Sequence, residues 1–87
     1  MEVNAADNVL HANIARSNAE DGFRILSSGN MFKGNVAMVN GGSGFKADGA
    51  SNTYSNNAGC RNALADAVDG GFKSRWKDND FCITSGF

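Results

Sequence analysis

Apolar and polar residues alternate along this chain in short bursts. In "GFRI" Phe23 and Ile25 flank Arg24, and in "GFKA" Phe45 and Ala47 flank Lys46. Alternation over three or four residues predicts a short strand that turns its apolar side chains to one face. Such strands are too short for a hairpin sheet but long enough for one side of a solenoid coil. The 3.6-residue spacing of an amphipathic helix is missing from the unit.

The bursts recur with a period of 22. Asn8, Asn30 and Asn52 are spaced by it, as are Asn13, Asn35, Asn57 and Asn18, Asn40, Asn62. Leu10, Phe32 and Tyr54 form an apolar column at the same period, and Phe23 and Phe45 form another, each behind a glycine. The period then meets Ala67 where a Phe is expected. An insertion of five residues within 63–71 ("ALADAVDGG") brings Phe72 to the Phe45 place, Asn79 to the Asn52 place and Phe81 to the Leu10 column. The expected coil boundaries fall near residues 8, 30, 52 and 79, with a closing coil over 72–87.

A 22-residue unit is too short for two packed helices. Asn and Gly between the strands tolerate left-handed backbone where the chain must turn. Asn side chains stacked at one coil position can hydrogen-bond to the copies above and below as a ladder. The expectation is one all-β domain over residues 1–87, a parallel β-helix of about three to four coils stacked roughly 4.8 Å apart. Its core would hold Phe23, Phe45 and Phe72 on one side and Leu10, Phe32, Tyr54 and Phe81 opposite. Ala15, Ala37 and Gly59 would fill the third side, and Met1 and Val3 would begin a partial first coil with Glu2 outward.

The pattern "NxFxGNxAxxNxxSGF" from Asn30 to Phe45 resembles the repeats of right-handed parallel β-helix proteins of the pectate-lyase-like superfamily, in particular their Asn/Gly-rich type. "NAGCRNA" and "RWKDNDFCITSGF" are similar to the closing C-terminal coil of such proteins. The resemblance implies a right-handed coil, a secreted or cell-surface setting and a possible link to polysaccharide. Enzymes of this fold use paired carboxylates on one face of a longer helix. No coil here presents two acids on one strand face, so a non-enzymatic role is expected.

Composition narrows the field. A formal charge of −1 lacks the basic excess of a nucleic-acid binder, and no apolar run is long enough to span a membrane. "MEVNAADNVL" has no cationic start or apolar stretch of a secretion signal, so the expectation is a cytoplasmic chain or a piece whose signal lay upstream. Neither metal nor cofactor is expected. His11, the single histidine, has Lys33, Ser55 and Cys82 as gapped-register column partners and reads as a solvent-facing side chain. Zinc held by His11 and the two cysteines is disfavoured. Cys60 and Cys82 are either a disulfide or two buried thiols, because the gapped register sets them on opposite sides of a turn. Asp66, Asp69, Asp78 and Asp80 lack calcium-loop spacing and read as surface charge. Arg24, Lys46 and Lys73 form an outward basic column, a candidate contact for a polyanion or glycan.

The expected function is a scaffold or surface-presentation module. A carbohydrate-binding or carbohydrate-processing domain and a coil-to-coil assembly module are the alternatives. An uncovered first coil predicts either further coils before it or self-association through it.

Overall fold

The computed structural model describes residues 1–71 and 73–85. Among the described residues thirteen short strands follow one another: β1 (Glu2–Val3), β2 (Val9–His11), β3 (Ile14–Arg16), β4 (Phe23–Ile25), β5 (Met31–Lys33), β6 (Val36–Met38) and β7 (Phe45–Ala47). The others are β8 (Thr53–Ser55), β9 (Ala58–Cys60), β10 (Ala67–Asp69), β11 (Arg75–Lys77), β12 (Asp80–Phe81) and β13 (Thr84–Ser85). They stack in parallel as three sheets, ordered β1-β4-β7-β10-β13, β2-β5-β8-β11 and β3-β6-β9-β12. The molecule is an all-β parallel solenoid of about four coils, as the 22-residue period predicts.

The period runs through the proposed insertion without a break. Ala67 pairs with Phe45, Trp76 with Tyr54, and Phe81 with Gly59. The irregularity comes later and has the opposite sign. Thr84 pairs with Ala67 only 17 residues on, so the last corner is five residues short. The insertion over 63–71 matched aromatic to aromatic within a column, whereas the core conserves volume across columns. Where Phe45 gives way to Ala67, the small column Ala15–Ala37–Gly59 ends in Phe81, whose ring centroid lies 5.5 Å from that of Phe45. Gly59 leaves the space: a Cβ there would sit 3.2 Å from the Phe81 ring. Phe72 lies outside the described residues.

Inward residues make a dry core of Val3, Phe23, Ile25, Phe32, Phe45, Ala47, Tyr54 and Ala67 with Ala15 and Ala37. Phe23 stacks on Phe45 at 4.7 Å, Phe32 on Tyr54 at 5.0 Å, and Tyr54 on Trp76 at 3.9 Å between centroids. Each buried ring contributes roughly 1.5–3 kcal/mol. Trp76, not Phe81, therefore continues the Leu10 column.

The corners explain the asparagines. Positive φ falls on the residue before each ladder position: Asp7, Gly29, Ser51 and Lys73 at one corner, Ala12, Gly34, Asn56 and Asp78 at the next, Ser17, Val39 and Arg61 at the third. The ladder asparagine is thus not the left-handed residue. It turns inward, and its Oδ1 accepts the backbone N–H of the ladder residue one coil earlier. Asn8 N donates to Asn30 at 2.8 Å, Asn35 N to Asn57 at 2.8 Å, and Asn40 N to Asn62 at 3.0 Å. In Asn35, Asn40, Asn52, Asn57, Asn62 and Asn79 the Nδ2 donates to a backbone carbonyl 25 residues back, as from Asn57 to Phe32 at 3.0 Å, whereas Asn30 Nδ2 donates to Ser27 Oγ and Ser28 O. Asn30, Asn35, Asn40, Asn52 and Asn57 are buried with these bonds made, which removes the penalty of 1–3 kcal/mol that an orphaned buried polar group carries. Among the described residues, nine non-glycine residues in left-handed backbone are strained, and the ladder bonds hold them there.

Candidate functional site: the two ends and the outward faces

Each ladder ends differently at the C-terminal coil. The Asn8–Asn30–Asn52 ladder closes on Ser74, whose Oγ accepts the Asn52 N–H at 3.3 Å. The Asn13–Asn35–Asn57 ladder closes on Asn79, so Asn79 belongs to this column and not to the Asn52 column. The third ladder has no residue left to continue it, because the last corner is shortened. Asp66 folds back instead. Its Oδ1 accepts from Asn62 N at 3.2 Å and Asn62 Nδ2 at 2.8 Å, and its Oδ2 accepts from Ile83 N at 2.8 Å. Asp66 is 1% exposed, so it is a buried cap and not the surface charge that the sequence pattern suggests.

Ungapped register also places the cysteines. Cys82 follows β12 directly over Cys60, their Cα atoms 5.3 Å apart, and the two form a disulfide. Above the core, Trp76 stacks on Tyr54 and meets Phe81 edge-on at 5.8 Å. Trp76 Nε1 donates to Asp69 Oδ2 at 3.2 Å. Among the described residues, Tyr54 Oη and Asp69 Oδ1 are buried without a hydrogen-bond partner. Burial pushes the Tyr54 phenol well above its usual value; the Asn52 side chain opposes this, and the carboxylates of Asp69 and Asp48 add to it.

The N-terminal end is open. β1, β2 and β3 each have a strand neighbour on one side only. Met31 N donates to Asn8 O and Ala12 N to Lys33 O, so Val9 and His11 turn their backbone groups to the free edge. By the same reasoning, from Val36 N to Asn13 O and Ser17 N to Met38 O, so do Ile14 and Arg16. Among the described residues, nothing donates to the Oδ1 of Asn8, Asn13 or Asn18. Val9 and Ile14 are about 70% exposed on the sides of this coil.

On the outward faces, Arg24 and Lys46 are neighbours in register, with Glu2 before them at 3.9 Å from Arg24. Lys73 is not the third member of that column. Val68 takes the place, and Lys73 sits at a left-handed corner. The cations gather instead on the β2-β5-β8-β11 sheet, where His11, Lys33, Ser55 and Lys77 form one column and Arg75 follows Thr53 in the other. Lys33, Arg75 and Lys77 pair with no carboxylate among the described residues. Reading residues 9, 31, 53 and 75 as one column, with no gap, would have found this face.

Comparison with protein-family models, with curated proteins and with solved structures finds no match to this chain. The solenoid architecture therefore stands on the structure itself.

Proposed function

We propose that this chain is a non-enzymatic scaffold module that joins a second copy through its N-terminal coil. The carrying observation is the asymmetry of the ends. β11, β12 and β13 are edge strands like β1, β2 and β3, but at the last coil β13 closes over β10 and Asp66 caps the third ladder. At the first coil the Oδ1 atoms of Asn8, Asn13 and Asn18 accept from no described residue. Unpaired strand edges template further strands. A head-to-tail fibre is disfavoured by the closing strand. If β2 of a following copy lay on β11, its β1 would fall on β10, where β13 already sits. Association of two N-terminal coils closes on itself and needs no such displacement. Sedimentation at micromolar concentration tests this. The expected result is a dimer for the wild type and a monomer for Val9→Pro, which removes an edge donor that makes no bond within the fold. A wild type that remains monomeric overturns it.

A second reading, a carbohydrate-binding domain of the pectate-lyase-like kind, is favoured by the unpaired Lys33, Arg75 and Lys77 on one sheet face. Titration with an acidic polysaccharide separates the two: tight, salt-sensitive binding by a monomer supports the second and sinks the first.

A further inference from the structure

One cluster of metal-ligating side chains is assembled by the period and the shortened corner together. Cys60 leaves β9 on one coil, and Cys82 occupies the same column on the next, with Cα atoms 5.3 Å apart. Asp66 arrives from the corner between them, and its carboxylate and both sulfurs lie within 4.8 Å of one another. The sulfurs are joined as a disulfide in this structure.

We propose that, once this disulfide is reduced, Cys60, Cys82 and Asp66 form a three-ligand site for a zinc-class divalent cation, with solvent in the fourth position. The ligand set suits such an ion: two soft thiolates and one carboxylate, with no cage of oxygens for calcium or magnesium. Zinc holds its sulfurs about 2.3 Å away in tetrahedral array. Two thiolates at the same position of adjacent parallel strands, about 4.8 Å apart, meet that requirement with side-chain rotation alone.

Asp66 is already oriented for the task. Three N–H groups, two from Asn62 and one from Ile83, fix its carboxylate and leave one of its roughly four lone-pair sites unused. Hydrogen bonds that hold a ligand in this way strengthen a metal site. Cys60 is half-buried and Cys82 exposed, so an ion can enter from solvent. His11, on the first coil, takes no part.

The chemistry balances with a small dithiol as reductant. The dithiol closes to its own disulfide, and two electrons with two protons convert the Cys60–Cys82 bond to two thiols. The cation then displaces both protons as the two thiolates bind. Disulfide and metal would fasten the same corner, so the last coil keeps a clasp in either redox state.

Cobalt(II) is the probe, added to the fully reduced protein without oxygen. The expected result is one ion per chain with a thiolate-to-cobalt charge-transfer band, release of two protons, and displacement by zinc. Oxidised protein should give no band. Asp66→Asn, which keeps an Oδ1 to accept from Asn62, should weaken binding by roughly tenfold or more. Cys82→Ser, at an exposed position, should abolish the thiolate band of a paired site. Circular dichroism checks that each variant keeps its strands. Absence of the band in reduced wild type overturns the proposal, as does binding by Asp66→Asn or Cys82→Ser equal to wild type; if Asp66→Asn loses its strands, Cys82→Ser alone decides.

Discussion

The first and last coils are built on the same three corners but present different groups to solvent. On the last coil the ladder positions are filled by Ser74, Asn79 and the folded-back Asp66, and Trp76 and Phe81 lie across the core. On the first coil the backbone N–H groups of Asn8, Asn13 and Asn18 donate to the next coil, Leu10 is only half-buried, and Val9 and Ile14 stand out from the sides. A solenoid coil is stable only insofar as both its faces are covered, because each repeat relies on its neighbours for a core. The same residue type at the same column should therefore matter by different amounts at the two ends and in the middle.

The largest contrast is expected in the Leu10–Phe32–Tyr54–Trp76 column. Trp76→Ala removes the stack on Tyr54 and the edge contact with Phe81 together, and should cost roughly 3–4 kcal/mol in urea unfolding. Leu10→Ala, at the uncovered end, should cost about 1 kcal/mol. Comparable losses would mean that the first coil is covered in solution, which sharpens the case for a dimer. The next contrast lies within one ladder. Asn57→Ala strips the acceptor from Asn35 N and the donor from Phe32 O, both within the core, for roughly 2–3 kcal/mol. Asn13→Ala loses only its Nδ2 bond to Asn35 Oδ1 and should cost about 0.5 kcal/mol. Equal effects would show that ladder bonds contribute locally and do not depend on burial.

The repeat, the three ladders and the inward side chains of the first three coils were legible in the sequence, because period and alternation are both imposed by backbone geometry. The last coil was not, and the reason is physical. Column matching rewards like residues, which drew Phe72 and Phe81 into the Phe45 and Leu10 columns. Packing rewards filled volume, so Ala67 beside Phe81 serves as well as a second Phe beside Gly. That error displaced Asn79 by one ladder, separated Cys60 from Cys82 and hid the Lys33–Arg75–Lys77 face. Trp76, exactly one period after Tyr54, was the signal that favoured the ungapped register. Asp66 had no such signal, since a carboxylate that replaces a missing asparagine is not visible until the corner is known to be short.

The smallest effect tests the polar fault beneath the cap. Among the described residues, Tyr54 Oη and Asp69 Oδ1 are both buried without a hydrogen-bond partner. Burial first, then the nearby carboxylates, raise the folded-state pKa of Tyr54 above the ordinary phenol value of 10.0. The folded protein therefore holds this proton where the unfolded chain releases it. Stability from this group is fully present below about pH 10 and falls as pH rises above the unfolded value. The limiting slope is about 1.4 kcal/mol per pH unit. Tyr54→Phe should remove that alkaline component while changing stability at neutral pH by less than about 1 kcal/mol, since no hydrogen bond is lost. Tyr54 is the only tyrosine in the chain, so tyrosinate absorbance reports it directly. Ionisation near pH 10 before any loss of strand signal would show that the phenol reaches solvent and that the cap over the last coil is looser than its aromatic stack implies.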